Sequence, residues 1–192
     1  GLVTGYYLQQ RGIERFLILD ANETIGGSWH QYWDSVRLFS SARYSSLDGL
    51  DFLGDPDHYP NRTEVIDYLQ TYADTFSLPI LNSTRVQTVQ PSRAGFEVIT
   101  ANGDCYSTKA VVSATGPFTK PYIPEILGRG RFKGQQLHSY DYNTPEGFAG
   151  KRVVVVGSNN SAVQVGVELA QVADVSLAVR KDIQFTPTHI MG

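Results

Sequence analysis

One cysteine, Cys105, stands in 192 residues, and that scarcity removes several chemistries at once. A single thiol cannot build an internal disulfide framework, a cysteine-rich metal site or a C-x-x-C redox pair. Charge is sparse as well: charged residues make up 18% of the chain and the formal net charge is −3. No basic excess exists to draw the chain to nucleic acid or to an anionic membrane. No apolar run approaches the ~20 residues of a membrane-spanning helix, and no signal-peptide pattern is visible. These absences lead us to expect a reducing, cytoplasmic setting. There the N-x-[ST] triplets at Asn22, Asn61 and Asn82 would carry no glycan. What remains is ordinary globular material, 41% hydrophobic, long enough to bury a core.

The chain opens at Gly1 rather than Met, directly onto LVTGYYLQQRG, a helix pattern carrying Leu2, Tyr6 and Leu8 and closing at Gly12. FLILD at 16–20 reads as a buried strand ending in an acid. A helix with no strand before it looks like half of a βαβ unit, so we expect a cut chain or a piece of something longer. IGGSW at 25–29 leads into a long aromatic and arginine-containing connection. Asn61 and Glu64 form a capping-box start for a helix with Val65, Leu69, Tyr72 and Phe76 on one face. Residues 84–90, FEVIT and CYSTKA then read as short strands, the last two joined by a hairpin turn at Ala101-Asn102-Gly103-Asp104. AVVSATG at 110–116 reads as another buried strand. The linker at Pro117–Pro124 is the best domain boundary.

A second strand–turn–helix–strand comes next, VVVVGSNNSA at 153–162, then VQVGVELAQVA and DVSLAVRK. Four β-branched residues ahead of a glycine predict a fully buried strand of a parallel sheet. Buried strands alternating with helices predict an α/β fold of two Rossmann-like dinucleotide-binding units, with a small antiparallel β-meander insert.

A strand, a glycine turn and a helix start present free backbone N–H groups to a phosphate. In the second unit Gly157 permits the turn, and Ser158, Asn160 and Ser161 add donors. Ala162 suits the third position of a G-x-G-x-x-G pattern, where close helix–strand packing matters. Asn159 is the defect, because it stands where backbone must approach the pyrophosphate. Asparagine does tolerate the left-handed region better than most residues. The next strand ends in Arg180 and Lys181, which suit a 2′-phosphate and so NADPH over NADH. The plainer reading is a basic strand end facing water. In the first unit, Gly1 fits the last glycine of such a pattern and Asp20 lies where an acid would hold a ribose diol. The plainer readings are a surface acid for Asp20 and a core residue for Trp29.

These motifs together resemble the flavin-containing monooxygenase superfamily across essentially the whole chain. The resemblance is carried by GGSW at 26–29, RLFSSARYSSLDGLDF at 37–52, ATG at 114–116 and GSNNSA. It is carried above all by FKGQQLHSYDY, which fits an F-x-G-x-x-x-H-x-x-x-Y signature through Phe132, Gly134, His138 and Tyr142. The resemblance implies FAD on residues 1–120, a partial domain lacking its first strand. There Gly1 would lie near the pyrophosphate, Asp20 on the ribose, Gly27 and Trp29 along the cofactor, Val86 at the adenine through its backbone, and Thr115 and Gly116 near the flavin. It implies NADPH on residues 121–192, a partial domain, through Gly157, Ser158, Asn160, Ser161 and Arg180.

Such enzymes reduce FAD with NADPH and let O2 add to the flavin. They keep the resulting C4a-hydroperoxide dry until a small nucleophilic or carbonyl substrate arrives. The partners implied are that substrate and O2, with no nucleic acid, no membrane span, no metal and no catalytic dyad; oligomeric state stays open. His138 has a plainer reading as a loop histidine satisfied by backbone. A reductase of the thioredoxin-reductase type needs a cysteine pair, which one cysteine denies it. An NADPH-dependent flavin reductase or oxidase, or a non-catalytic nucleotide-binding remnant, remains open at this point.

Overall fold

The computed structural model describes residues 1–116 and 120–185. They fall into two compact units, one of residues 1–32, 37–116 and 120–121, the other of residues 33–36 and 122–185. Pro117, the first residue of the expected boundary, lies outside the described residues.

In the first unit, α1 (Leu2–Gln10) ends in a Schellman arrangement: Gly12 N–H donates to the Gln9 carbonyl and Ile13 N–H to that of Leu8. The helix packs closely on its own unit, since a Cβ on Gly5 would lie 2.9 Å from Ile18, 3.2 Å from Leu78 and 3.3 Å from Phe16. β1 (Ile18–Leu19) pairs in parallel with β2 (Ile80–Leu81). Between them come a 3-10 turn at Gly27–Gln31, the short α2 (Ala42–Ser45) and the long α3 (Arg62–Thr75). The Asn61–Glu64 capping box forms in full, each side chain bonded to the other's backbone N–H.

The core gathers Tyr68, Tyr72 and Leu78, with Leu2, Tyr6, Phe16, Ile18 and Phe76 against it. Its tyrosines also hold the connection at 47–50. Tyr72 Oη donates to the Asp48 carbonyl at 2.7 Å, Tyr68 Oη donates to that of Leu50 at 2.6 Å, and Tyr68 Oη accepts from Leu47 N–H. Burial pushes the Tyr72 pKa up to about 12, so its hydroxyl stays a donor. The insert is the antiparallel meander β3 (Val86–Ser92), β4 (Gly95–Thr100) and β5 (Cys105–Thr108). The β4–β5 turn falls at 101–104 as expected, stitched by Thr100 Oγ1 accepting from Asp104 N–H.

In the second unit, β6 (Arg152–Val156) and β7 (Asp174–Ala178) pair in parallel and α4 (Asn160–Leu169) crosses between them. Among the described residues no helix is long and apolar enough to cross a membrane.

The α/β class with two parallel strand–helix–strand units and an antiparallel insert is observed, but three strand expectations need correction. FLILD contributes only two ladder residues, and Leu17 is 51% exposed. AVVSATG forms no strand; it makes no ladder among the described residues, and Val112 is 63% exposed. VVVV is a strand but is not fully buried: Val154 and Val156 are exposed while Val153 and Val155 are half-buried. The reason is common to all three. An apolar run is buried on both faces only where strands flank it and helices cover both sides, and the described parallel sheets have two strands each.

Candidate functional site

Two sites come out of this architecture, one in each unit, each at the carboxyl end of parallel strands where open α/β sheets take their ligands.

In the second unit Gly157 joins β6 to α4 at φ +142°, a conformation that L side chains rarely adopt. Its N–H donates to the Ala178 carbonyl at 3.1 Å, which ties the turn to the end of β7. A Cβ added there would sit 3.3 Å from the Ala162 methyl. First and third positions of the turn are therefore packed on each other, as the choice of Gly and Ala implies. Asn159 departs from expectation. It occupies the N-cap of α4 in extended backbone, φ −87°, so its tolerance of the left-handed region plays no part. The N–H groups of Ser158, Asn160 and Ser161 have no acceptor among the described residues, and a helix start leaves such donors for an anion. Ser158, Lys181, Asp182, Ile183 and Gln184 line a cavity of about 600 Å3. Ser158, Arg180 and Lys181 line another of about 400 Å3. The turn and the cationic strand end thus share the same space. Asp182 and Gln184 were not singled out from the sequence; the acid opposes the two cations and lies hidden in a polar run.

In the first unit Gly1 is the N-cap of α1, and its Cβ position is 3.9 Å from both Ala114 and Ile18. Ala114 of the ATG segment therefore lies beside the helix start, and Thr115 and Gly116 follow it in the chain. The Asp20 carboxylate lies within electrostatic reach of the same point. Asp20 Oδ1 accepts from Asn22 N–H at 2.9 Å and from Asn22 Nδ2 at 2.7 Å. Its Oδ2 has no partner among the described residues. Asp20 N–H donates to the Leu81 carbonyl, and its own carbonyl accepts from Thr84 N–H at 2.8 Å. Val86, two residues beyond Thr84, starts β3 beside a ladder irregularity. Asn22 was not picked from the sequence, although an Asp-x-Asn spacing at a strand end is an Asx-turn pattern.

Gly26 and Gly27 both hold positive φ. The His30 ring lies over Gly26, where a Cβ would meet Nε2 at 2.6 Å, and Nε2 is 2.9 Å from the Ile25 carbonyl. Trp29 is half-buried and tilted against Tyr32 at 5.1 Å between ring centroids, so it is not the fully buried core residue of the plainer reading.

The F-x-G-x-x-x-H-x-x-x-Y residues divide their labour. A Cβ on Gly134 would strike the Phe132 ring, His138 Nδ1 accepts from Tyr140 N–H at 3.0 Å, and Tyr142 is buried. His138 is thus satisfied by local backbone.

Residues 1–190 match the family described as pyridine nucleotide-disulphide oxidoreductase. An uncharacterized CzcO-like oxidoreductase of Geobacillus kaustophilus is 42% identical over 192 residues, all of this chain and 55% of the relative. A flavin-containing monooxygenase of Stenotrophomonas maltophilia superposes with a TM-score of 0.92 at 38% identity, over 97% of this chain and 56% of that one. OTEMO, solved in complex with FAD and NADP, superposes at 0.69 with 26% identity, over 92% of this chain and 36% of that one. The chain spans about half the length of the curated relatives it matches. The resemblance to flavin-containing monooxygenases read from the motifs is borne out.

Proposed function

The chain belongs to the pyridine nucleotide-disulphide oxidoreductase family, and from that premise we propose that it carries the FAD- and NADPH-binding units of a flavin-dependent monooxygenase. The first unit, taken as residues 1–120, would hold FAD. Gly1 would face the pyrophosphate, and Asp20 would accept from the ribose through its open Oδ2. Gly27 and Trp29 would lie along the cofactor, Val86 would offer backbone groups to the adenine, and Thr115 and Gly116 would border the flavin. The second unit, taken as residues 121–192, would hold NADPH on Gly157, Ser158, Asn160, Ser161 and Arg180. When bound, the two cofactors supply the reducing equivalents and the activation of O2 for a small nucleophilic or carbonyl substrate. The protein's own share is to bind and orient them.

The observation that carries the reading is the shared space of Ser158, Arg180 and Lys181 at the Gly157 turn. Unpaired N–H groups, a hydroxyl and two cations make a donor set suited to a phosphate-bearing nucleotide. Asp182, on the adjoining wall, weakens that field, and two positive charges against one negative leave it net cationic.

The test is the R180A variant, titrated with NADP+ and with NAD+. Losing a charged hydrogen bond to the 2′-phosphate weakens NADP+ by about 1.5–3 kcal/mol and leaves NAD+ nearly unchanged. Equal weakening of both nucleotides would remove the assignment.

A further inference from the structure

Outside the cofactor contacts, the second unit holds a part-buried polar pair. Tyr142, 4% exposed, donates from Oη to Glu168 Oε2 at 2.8 Å. We propose that this hydrogen bond makes Tyr142 a positioning residue for the Gly157 turn, by fixing the tilt of α4; the inference rests on the NADPH reading of that turn. Glu168 sits in the last turn of α4, about 12 Å along the axis from Asn160 at ~1.5 Å per residue. At the other end the Asn159 side chain makes no capping bond. Apolar contacts seat α4 as well: Val165 and Leu169 are buried, and Gly166 lies against Leu177 of β7. Such contacts resist separation without fixing direction. A hydrogen bond to a carboxylate does fix direction, and a small tilt at residue 168 is carried along the rigid helix to the turn.

Tyr142 is itself well anchored. Its ring lies 6.5 Å from that of Trp33 and 5.9 Å from that of Phe148, and Asp34 N–H donates to the Asn143 carbonyl at 3.2 Å. The segment at 33–36 and the signature turn at Ser139–Asp141 therefore form the fixed end against which α4 is held. Burial, then the bond to Glu168, raises the Tyr142 pKa, so the phenol keeps its proton and its role as donor.

The experiment compares Y142F, E168L, E168Q and the Y142F/E168L pair by calorimetric titration with NADP+, with flavin content and melting temperature recorded for each. Y142F and E168L are each expected to weaken NADP+ about fivefold. The pair should be no weaker than either single variant, because one bond is lost in all three. E168Q, whose amide oxygen still accepts, should stay within about twofold. Should Y142F not fold, E168L against E168Q makes the same comparison. Lowered melting temperatures with unchanged NADP+ affinity would make the pair merely structural and overturn the proposal. G157V separates the two levels. If it binds NADP+ normally, the nucleotide reading of the turn fails and the proposal falls with it. If it loses NADP+ while Y142F and E168L keep full affinity, only the positioning role is overturned.

Discussion

In the first unit α1 and α3 close over Tyr72, which has no exposed surface, whereas in the second unit Val154 and Val156 of β6 stand 63% and 66% exposed. Each unit nevertheless ends its leading strand at a helix-start site. The first holds its site through an aromatic core whose tyrosine hydroxyls bond the 47–50 connection directly. The second holds its site through the backbone conformation of one glycine and a few polar contacts around a thin sheet. Damage to the first unit should therefore appear as lost stability, and damage to the second as lost binding.

The strongest way to break that contrast is G157V. Valine at φ +142° stores about 1–3 kcal/mol of backbone strain, and its branched side chain crowds the Ala162 methyl, already 3.3 Å from the Cβ position. The turn must change shape to relieve this, so NADP+ binding should fall below detection by calorimetry while flavin content is retained. Parallel loss of flavin would show that the two sites do not depend on separate units. N159G sharpens the point. With Asn159 already in extended backbone and making no cap bond, glycine relieves nothing there, and affinity should stay within about twofold.

Much of this division was legible in advance, for reasons that are local. The Gly157 turn, the Asn61–Glu64 box and the 101–104 hairpin each depend on a few neighbouring residues whose chemistry permits one conformation. AVVSATG was not legible, because an apolar run becomes a strand only when another strand pairs with it, and pairing is set far away in the chain. Nor was the Tyr142–Glu168 bond, whose partners are 26 residues apart. The spacing singled out Tyr142, but nothing in the spacing says what its hydroxyl meets. Asp182 escaped for a different reason. The Arg180–Lys181 pair dominated the reading of the strand end, and its charge is partly answered by the next residue.

In the first unit the corresponding probe is G5V. Its Cβ would press on Ile18 at 2.9 Å, on Leu78 at 3.2 Å and on Phe16 at 3.3 Å, three side chains locked into the core beneath α1. Overpacking of that kind costs about 1–3 kcal/mol, read as a lower denaturation midpoint. NADP+ affinity should be untouched under conditions where the protein is folded. A G5V protein as stable as the parent would mean that the core yields more than its close contacts imply.

The smallest expected effect lies at the start of α3, where the capping box also bears a charge. The backbone bond from Asn61 N–H, then the contact with His58, lowers the Glu64 pKa below its ordinary 4.5. A folded-state pKa below the unfolded one means that the unfolded chain binds the proton more readily. The stabilisation is therefore complete above about pH 4.5 and is lost as pH falls through the lowered folded value. Because the carboxylate is 44% exposed, solvent screens it, and its charge contributes a few tenths of a kcal/mol. E64Q keeps an oxygen for the box but removes that charge. Its melting temperature should lie slightly below the parent's at neutral pH and converge on it in acid. A gap that instead widens as pH falls would contradict the sign of the shift and place the stabilising charge elsewhere.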